Sequence, residues 1–420
     1  MSNLEMDEGA EYIGFREALE LVLTNTVPQK VDVLPLASCS GYVCAENAVA
    51  AVDSPTNNVS LKDGFAVRSR DVAGASPEHP VKLSVIGSVF AGSRFDGRIS
   101  SGQAVKICSG SPVPEDTEAV VSSEFCDELG SEIWVKATAD AGRNIFFAGE
   151  DVKSGTVILE KGKVLLPARL GLAAAGGMSQ LKVYRKPKVA LIAIGDEVIA
   201  PGQNLREGQL YASNMVSIGA WLASYGISYI TSVTVDDSES IRNELIRLFP
   251  ESDAIITSGG AWGSERDLIV SVLDSLGWKR YFHHVRIGPG KGIAFGTWKD
   301  RPVFCLPGGP PSNEMAFLQL ALPGILHMAG QTGSPFFSVS ARLTLDVNSR
   351  HRAWTEFKKC TLDKDMEGNY AVTPYFEVSR LKSMADSTCL ISKPEGVDFL
   401  SAGQIVPVQI MVPAFVDPGL

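Results

Sequence analysis

Acidic and glycine-rich turns follow three short apolar runs between residues 189 and 310, and the residues of these turns are suited to binding a ligand. The runs span 189–194, 254–257 and 302–306, and the turns after them are Gly195-Asp196-Glu197, Ser258-Gly259-Gly260 and Pro307-Gly308-Gly309-Pro310. Carboxylates are hard oxygen ligands for Mg²⁺, whose shell is usually completed by water and substrate phosphate. Glycine turns beside helix N-termini suit a phosphate group. The pattern therefore predicts a site for a phosphorylated ligand with a divalent cation.

Further acids stand at strand ends nearby, and each has a structural alternative. Asp237 or Ser238 could cap a helix that begins near residue 239, and the segment from Ser264 to Asp267 fits a capping box. Capping does not account for Glu197, which directly follows its strand before any helix begins. The segment contains neither a P-loop nor a Rossmann glycine fingerprint.

The elements that would position these turns alternate between strand and helix. Helical apolar patterns occupy 215–225, 239–249, 268–276 and 314–328, between and after the three apolar runs. Strand–helix alternation predicts a doubly wound, mostly parallel sheet with helices on both faces. Ligands bind at the carboxyl ends of the strands in such sheets, so the three turns should line one crevice.

The remaining segments predict a multidomain α/β and β protein. Residues 11–27 fit an amphipathic helix, 81–138 fit short strands, and the segment after 330 fits a small barrel. Asp63-Gly64 lies between apolar residues, which is typical of a hairpin turn. The predicted domains are a helical linking domain (1–45 plus 140–186), a small mostly-β domain (46–139), an α/β domain (187–330) and a C-terminal β-barrel-like domain (331–420).

Composition excludes several classes of function. The chain has 420 residues, which is too long for one ordinary core, and a net charge of −10, which argues against broad binding to nucleic acid. No apolar run approaches the roughly 20 residues of a membrane span, and the acidic start does not fit a signal peptide. Seven scattered cysteines without a CxxC motif fit reduced thiols. We therefore expect a cytoplasmic protein with no membrane or nucleic-acid partner.

Seven motifs, in order along residues 63–310, resemble those of the molybdopterin molybdotransferase family, to which the C-terminal part of gephyrin-type proteins also belongs. The family patterns are D-G-[YF]-A-V-R, T-G-A-P-x-P, G-x-N-x-R-x-x-G-E-D, T-G-D-E, S-G-G with a downstream Asp, P-G-K-x-x-x-F-G and L-P-G-N-P. The matching segments here begin at Asp63, Ser109, Gly142, Ile194, Ser258, Pro289 and Leu306. No single motif suffices, but their shared order is highly specific.

The resemblance implies a step of molybdenum cofactor biosynthesis. The expected reaction is Mg²⁺-dependent insertion of molybdate, or tungstate, into the dithiolene of adenylylated molybdopterin, with release of AMP. The expected assembly is a homodimer of elongated four-domain subunits, with an upstream adenylyltransferase or an acceptor molybdoenzyme as partner. Oxyanions so similar in size and charge cannot be separated from the sequence.

The resemblance also implies roles for individual residues. The implied catalytic acids are Asp63, Asp151, Glu197 and Asp267. The implied metal ligands are Glu197, Asp236, Asp237 and Asp267, with the choice between Asp236 and Asp237 open. The implied substrate-binding residues are Ser109, Gly195, Asp196, Ser258, Gly259, Gly260, Ser264, Lys291, Pro307, Gly308 and Pro310. In the expected dimer, Asp63 and the β module reach the crevice of the other subunit.

The chain departs from the family pattern at several positions. Phe146 stands where the family has Arg, Gly288 where it has the first Lys of K-P-G-K, and Gly309 where it has Asn. Residues 261–264 and 378–385 also differ from the family motifs. An anionic nucleotide–pterin requires positive charge, so the loss of two cations leaves a second hypothesis open. That hypothesis is a non-catalytic pterin carrier or chaperone for a molybdoenzyme; a scaffold like the C-terminal part of gephyrin is a weaker third.

Overall fold

The structure, a computed structural model, describes residues 12–260, 268–365, 367–375 and 380–411. The chain forms two compact units. The α/β–barrel unit comprises residues 1–32, 41–43 and 184–420, and the β-rich unit comprises 33–40 and 44–183. Among the described helices, none is long and apolar enough to cross a membrane.

The helices and the strands of three or more residues are numbered in chain order. The helices are α1 Phe15–Asn25, α2 Pro167–Ala175, α3 Ser213–Ser224, α4 Ser238–Leu248, α5 Leu268–Ser275, α6 Pro310–Ala316, α7 Leu322–Met328 and α8 Arg380–Asp386. The strands up to the start of the α/β region are β1 Val31–Pro35, β2 Gly64–Val67, β3 Val81–Val89, β4 Gln103–Ile107, β5 Ala119–Ser122, β6 Cys126–Leu129, β7 Glu132–Val135, β8 Val157–Leu159 and β9 Gln180–Tyr184. The later strands are β10 Lys188–Ile194, β11 Ser228–Thr234, β12 Ala254–Ser258, β13 Lys279–His283, β14 Val285–Gly288, β15 Ala294–Trp298, β16 Arg301–Leu306, β17 Phe337–Leu343, β18 Thr355–Lys364, β19 Tyr370–Pro374, β20 Cys389–Lys393 and β21 Ile405–Ile410.

A six-stranded sheet forms the centre of the α/β–barrel unit, in the order β11-β10-β12-β16-β15-β13. The first four strands are parallel, and β15 and β13 are antiparallel to their neighbours. Alternate residues of β10 enter different cores: Leu191 packs in the cluster that contains Leu222 of α3, and Ile192 in the cluster that contains Leu245 of α4. Helices therefore cover both faces, which explains the continuous apolar runs in the sequence.

One predicted helix begins earlier than its apolar pattern indicated. Residues 314–328 were the expected span, but α6 begins at Pro310 and continues through a π-helical turn, Phe317–Ala321, into α7. Proline is tolerated in the first helical turn because its missing N–H would have no helical partner there. The earlier start places the N-terminus of α6 directly after the Gly308-Gly309 turn.

The C-terminal strands close into a small barrel, as the sequence predicts. Pairing runs β18-β19-β17-β21-β20, and β20 pairs back with β18. The core contains Leu343, Val372, Ile391 and Val408. Strand β14 of the preceding segment joins β18 in parallel, with Gly288 beside Glu356. This pairing connects the α/β region to the barrel within one unit.

The β-rich unit contains a second six-stranded sheet, in the order β5-β2-β4-β3-β7-β6, and the helix α2. Phe65, Leu83, Val121 and Ile133 belong to its core. The hairpin-turn interpretation of Asp63-Gly64 is wrong, because Gly64 is the first residue of β2. A Cβ at Gly64 would overlap the carbonyl oxygen of Val121, so the close strand contact requires glycine.

Candidate functional site

A cleft of about 870 Å³ lies at the carboxyl ends of β10, β12 and β16. We call it the acidic cleft, because Glu197 and Asp236 line it. It gathers most of the crevice residues that the sequence predicts, together with Asn214 and Leu381. The predicted residues that line it are Gly195, Glu197, Asp236, Ser258, Gly259, Gly260, Gly308 and Pro310.

The Ser258 hydroxyl is the centre of a hydrogen-bond network that ties these turns together. Asn214 Nδ2 donates to Ser258 Oγ at 3.2 Å and to Gly308 O at 2.8 Å. Asn313 Nδ2 donates to Ser258 Oγ at 3.0 Å and to Pro307 O at 2.9 Å. Asn313 is only 1% exposed, and sequence reasoning missed it. Its sequence signal is weak, because Asn313 stands between Ser312 and Glu314 in the polar middle of α6.

Position 259 requires glycine because two backbone segments pack closely there. Gly259 has φ of +99°, and a Cβ there would overlap the carbonyl oxygen of Ile194 at the end of the neighbouring strand. Its N–H donates to Leu306 O at 3.1 Å. The absence of a side chain keeps the backbone of this turn open to the cleft, which suits close approach of an anionic ligand.

The acids at the strand ends divide between positions that line the cleft and positions that hold the surrounding backbone. Asp196 Oδ1 accepts a hydrogen bond from Asp236 N at 3.0 Å, which fixes the loop after β11 against the loop after β10. Asp237 caps α4 by accepting from the N–H groups of Glu239 and Ser240. Hydrogen bonds from the hydroxyl and backbone of Ser240 lower the pKa of Asp237.

Asp236 is therefore the member of the 236–237 pair that lines the cleft, and the metal role of Asp237 stays a prediction. The described residues contain no group of three or more Asp, Glu, His or Cys side chains arranged to hold a metal. Ser264 and Asp267 lie outside the described residues. Glu197 and Asp236 suit Mg²⁺, which usually binds through one or two carboxylates and keeps several waters.

Three predicted site residues lie in the β-rich unit. Asp63 Oδ1 accepts a hydrogen bond from Ser109 N at 2.7 Å, so the carboxylate orders the Ser109-Gly110 turn. Asp151 is exposed, and its backbone N–H donates to Ser54 O at 3.0 Å. The structure thus brings Asp63 and Ser109 together within this unit.

A second cleft, of about 640 Å³, shares Gly309 with the acidic cleft. We call it the cationic cleft, because four basic residues line it, whereas Glu356 is its only acidic lining residue among the described part of the chain. It includes two predicted substrate-binding residues, Pro307 and Lys291. The four basic residues are Lys291, Arg350, Lys358 and Arg380.

Glu356 orders one wall of the cationic cleft. Its Oε1 accepts hydrogen bonds from Ser349 Oγ, Arg350 N and His351 N at 2.8–2.9 Å. Lys393, 1% exposed, lies 3.8 Å from the same oxygen and donates to His351 O and Val397 O. Burial opposes ionisation of Glu356, but these hydrogen bonds outweigh burial and lower the pKa of Glu356.

Helix α8 borders both clefts. Arg380 and Ser383 line the cationic cleft, and Leu381 lines the acidic cleft. Sequence reasoning assigned none of these residues to a site, because their cleft positions depend on packing between the barrel and the α/β region.

Comparison with known protein families matches two models along the chain. Residues 13–177 match the MoeA N-terminal region (domain I and II), and residues 190–327 match a probable molybdopterin binding domain. A solved molybdopterin biosynthesis MoeA protein from Pyrococcus horikoshii OT3 superposes with a TM-score of 0.82 at 27% identity, covering 95% of this chain and 100% of that one. The fold and the strand-end cleft therefore define a MoeA-like protein with a molybdopterin-binding type of α/β domain.

Curated relatives identify the family. The molybdopterin molybdenumtransferase of Haemophilus influenzae is 32% identical over 390 residues, covering 91% of this chain and 94% of the relative. That of Synechococcus elongatus is 30% identical over 405 residues, covering 94% and 99%. The chain belongs to the molybdopterin molybdenumtransferase family.

Proposed function

We propose that this chain is a transferase of molybdenum cofactor biosynthesis, which inserts molybdate into adenylylated molybdopterin and releases AMP in a Mg²⁺-dependent reaction. The observation that carries the proposal is the adjacency of two clefts of opposite charge that share Gly309. The reaction brings together an adenylyl phosphate, which binds with Mg²⁺, and a free molybdate anion. It therefore requires an acidic site for the cation next to a basic site for the oxyanion. The relatives' names supply the reaction class.

The acidic cleft suits the adenylyl phosphate and its cation. Glu197 and Asp236 would hold Mg²⁺, which neutralises phosphate charge when bound. The Gly259 turn lies at the same edge, and because it carries no side chain a phosphate can approach its backbone closely. The protein's own contribution here is to fix the phosphate through backbone groups that the Ser258 network holds in place.

The cationic cleft suits the oxyanion. Molybdate is a tetrahedral dianion, and Lys291, Arg350 and Arg380 line a cavity large enough to enclose it. Guanidinium groups donate charge-assisted hydrogen bonds in a fixed planar fork, which favours oxyanions. Tungstate has the same shape and charge and is expected to bind the same residues.

We also propose that the chain forms a homodimer in which the β-rich unit of one copy contributes residues to the acidic cleft of the other. Asp63 and Ser109 are proposed to serve the acidic cleft of a second copy of the chain, as the family resemblance implies, and Asp151 is proposed as a further catalytic acid. We also propose the four-domain division at residues 46, 140, 187 and 331 and a cytoplasmic location. Sedimentation velocity tests the assembly, and a strictly monomeric active enzyme would refute this role of Asp63.

AMP release from adenylylated molybdopterin tests the reaction. The assay contains Mg²⁺ and either molybdate or tungstate, and it compares the wild-type chain with Glu197→Ala and Asp267→Asn. Oxyanion-dependent release that both variants lose is the expected result. Glu207→Ala, in an exposed loop beside the cleft, is the matched control and should retain activity.

A second candidate function is a non-catalytic molybdopterin carrier for an acceptor molybdoenzyme. Phe146 and Gly288 motivate it, because each stands where the family has a cationic residue. A carrier binds the pterin tightly without releasing AMP, and Glu197→Ala then leaves its function intact. Pterin binding without oxyanion-dependent AMP release would favour the carrier over the transferase.

A further inference from the structure

Lys358 is a half-buried cation at the cationic cleft that forms no ion pair or hydrogen bond among the described residues. It lies on the barrel strand β18 and lines the cleft with Arg350 and Arg380. Its neighbour in sequence, Lys359, is paired with Glu314 of α6, whereas Lys358 Nζ makes no such ion pair or hydrogen bond within the described part of the chain. A cation withdrawn from water without a partner is costly, so the position indicates an anionic ligand.

The charges around Lys358 also indicate an anionic ligand. Burial is the main cause that lowers the pKa of Lys358, and the positive charge of Arg350 lowers it further, whereas the carboxylate of Glu356 offsets part of the shift. The acidic lining residue Glu356 accepts hydrogen bonds from Ser349, Arg350 and His351, and it lies 3.8 Å from the buried Lys393. The hydrogen bonds of Glu356 are therefore made within the 349–351 loop. The positive charges of Lys358 and Arg350 can then interact with an anionic ligand.

The position of Lys358 relative to Gly288 gives the charge a specific role. Strand β14 pairs with β18 so that Gly288 lies beside Glu356. Lys358 is two residues beyond Glu356 on the same strand, and residues two apart point to the same face. Gly288 and Lys358 therefore line the cleft from adjacent strands. The family pattern expects a lysine at position 288, and this chain has none there.

We propose that Lys358 binds a tetrahedral dianion in the cationic cleft and supplies, from the barrel, the positive charge that position 288 lacks. The inference rests on the proposed function for the identity of the anion, molybdate or tungstate. It makes Lys358 an anion-binding residue that the family motifs do not contain.

Equilibrium binding of inorganic molybdate to the full chain tests the proposal, with phosphate as a second probe. Lys358→Met removes the charge and keeps most of the length of the side chain, and Lys358→Arg keeps the charge. Lys358→Met should weaken molybdate binding about ten- to hundred-fold, the range expected for a lost charge-assisted hydrogen bond, and Lys358→Arg should weaken it far less. Lys364→Met, at the exposed end of the same strand, is the matched control and should bind as the wild type does.

A charge relocation provides the second test. A Cβ at Gly288 would lie 3.5 Å from Glu356 Cγ and 3.9 Å from Trp354 Cε3, which is ordinary contact. The double variant Lys358→Met/Gly288→Lys should therefore fold and recover most of the lost affinity. Circular dichroism and the melting temperature verify folding of each variant.

The outcomes separate this proposal from the proposed function. Unchanged molybdate affinity in a folded Lys358→Met variant overturns the role of Lys358, whatever the AMP-release assay shows. Loss of affinity that neither Lys358→Arg nor Gly288→Lys restores also overturns it. If the wild type binds phosphate through Lys358 but not molybdate, the anion site stands and the transferase proposal fails. If the wild type binds neither, the anion site itself is refuted.

Discussion

The acidic cleft is built from the strand ends of one sheet, whereas the cationic cleft is assembled from segments far apart in the chain. The first draws its acids from residues 197 and 236, each just after a strand. The second combines residues 288–291, 350–358 and 380–383, which belong to the α/β region, the barrel and α8. One cleft therefore depends on the regularity of a parallel sheet, and the other depends on how the barrel packs against it.

The two clefts also differ in how their charges are supported. Backbone turns and the amides of Asn214 and Asn313 hold the Ser258 side of the acidic cleft, so its support is mainly neutral, and Asp196 is the one carboxylate that we describe in a supporting hydrogen bond. A buried ion pair, Glu356 with Lys393, holds the Arg350 loop of the cationic cleft. Neutral support should be less sensitive to pH than ionic support. We therefore expect the two clefts to respond differently to substitution and to pH.

The largest effect is expected from Glu356→Gln. Removal of one partner of a buried ion pair leaves Lys393 uncompensated, so the free energy of unfolding should fall by about 3–5 kcal/mol. Glu395→Gln is the matched control, because Glu395 lies 3.8 Å from Arg286 in a more exposed pair and should cost at most about 1 kcal/mol. Urea unfolding measures both variants. Equal losses in the two would show that burial of the Glu356 pair contributes nothing.

The same pair predicts a pH dependence. Because the pKa of Glu356 is lowered in the folded protein, its carboxylate stabilises the fold above the unfolded pKa. That contribution is lost as pH falls through the lowered pKa, so wild-type stability should decline below about pH 4.3 more steeply than that of Glu356→Gln. Urea unfolding at a series of acidic pH values measures the difference. Parallel curves for the two proteins would contradict the prediction.

The next effect concerns the acidic cleft alone. Asp236→Asn should reduce AMP release about ten- to hundred-fold, the range for one lost charged contact, while molybdate affinity at the cationic cleft stays unchanged. Asp237→Asn, the matched control, alters the cap of α4 and should retain AMP release with a small loss of stability. Steady-state kinetics and equilibrium binding separate these effects. Equal loss of activity in the two variants would mean that Asp237 also serves the ligand.

The sequence predicted the acidic cleft well because its determinants are local. Buried runs such as 189–194 ended in turns, and a parallel sheet brings the carboxyl ends of its strands together. Glu197 could be recognised because no helix follows it directly. Asp236 and Asp237 could not be separated, since the N-cap geometry of Asp237 depends on where α4 begins. The fold class and the barrel strands followed from periodicity in the same way.

The cationic cleft was largely missed because its determinants are not local. Lys291 was recognised only through the family pattern, and Arg350, Lys358 and Arg380 occur in segments whose sequences resemble ordinary solvated strands and helices. Their convergence depends on the pairing of Gly288 with Glu356 and on the Lys359–Glu314 ion pair between the barrel and α6. Neither contact has a sequence signature. Asn313 was missed for a related reason, since its partners are backbone and side-chain groups of distant turns.

Neutral support of the acidic cleft predicts a moderate effect for Asn313→Ala. The substitution removes hydrogen bonds to Ser258 Oγ and Pro307 O in a buried position, so the free energy of unfolding should fall by about 1–2 kcal/mol. Asn214→Ala, which removes a second donor to the same hydroxyl from a more exposed position, should cost less. Urea unfolding at neutral pH measures both. A pH-dependent loss in either variant would contradict the neutral character of this network.

The smallest effect is expected at Gly309, the residue that both clefts share. A Cβ at this position meets no heavy atom within 4 Å, and its φ of −68° and ψ of 126° are open to any residue. Gly309→Asn should therefore change the free energy of unfolding by less than about 0.5 kcal/mol. Its amide adds one neutral hydrogen-bond donor at the junction, so binding of molybdate or AMP should tighten by about two- to tenfold. Tightening of one ligand alone would assign the residue to a single cleft. Tightening of both would show that the phosphate and the oxyanion meet at this residue, as a transfer between the two clefts requires, and weakening of both would refute the shared wall.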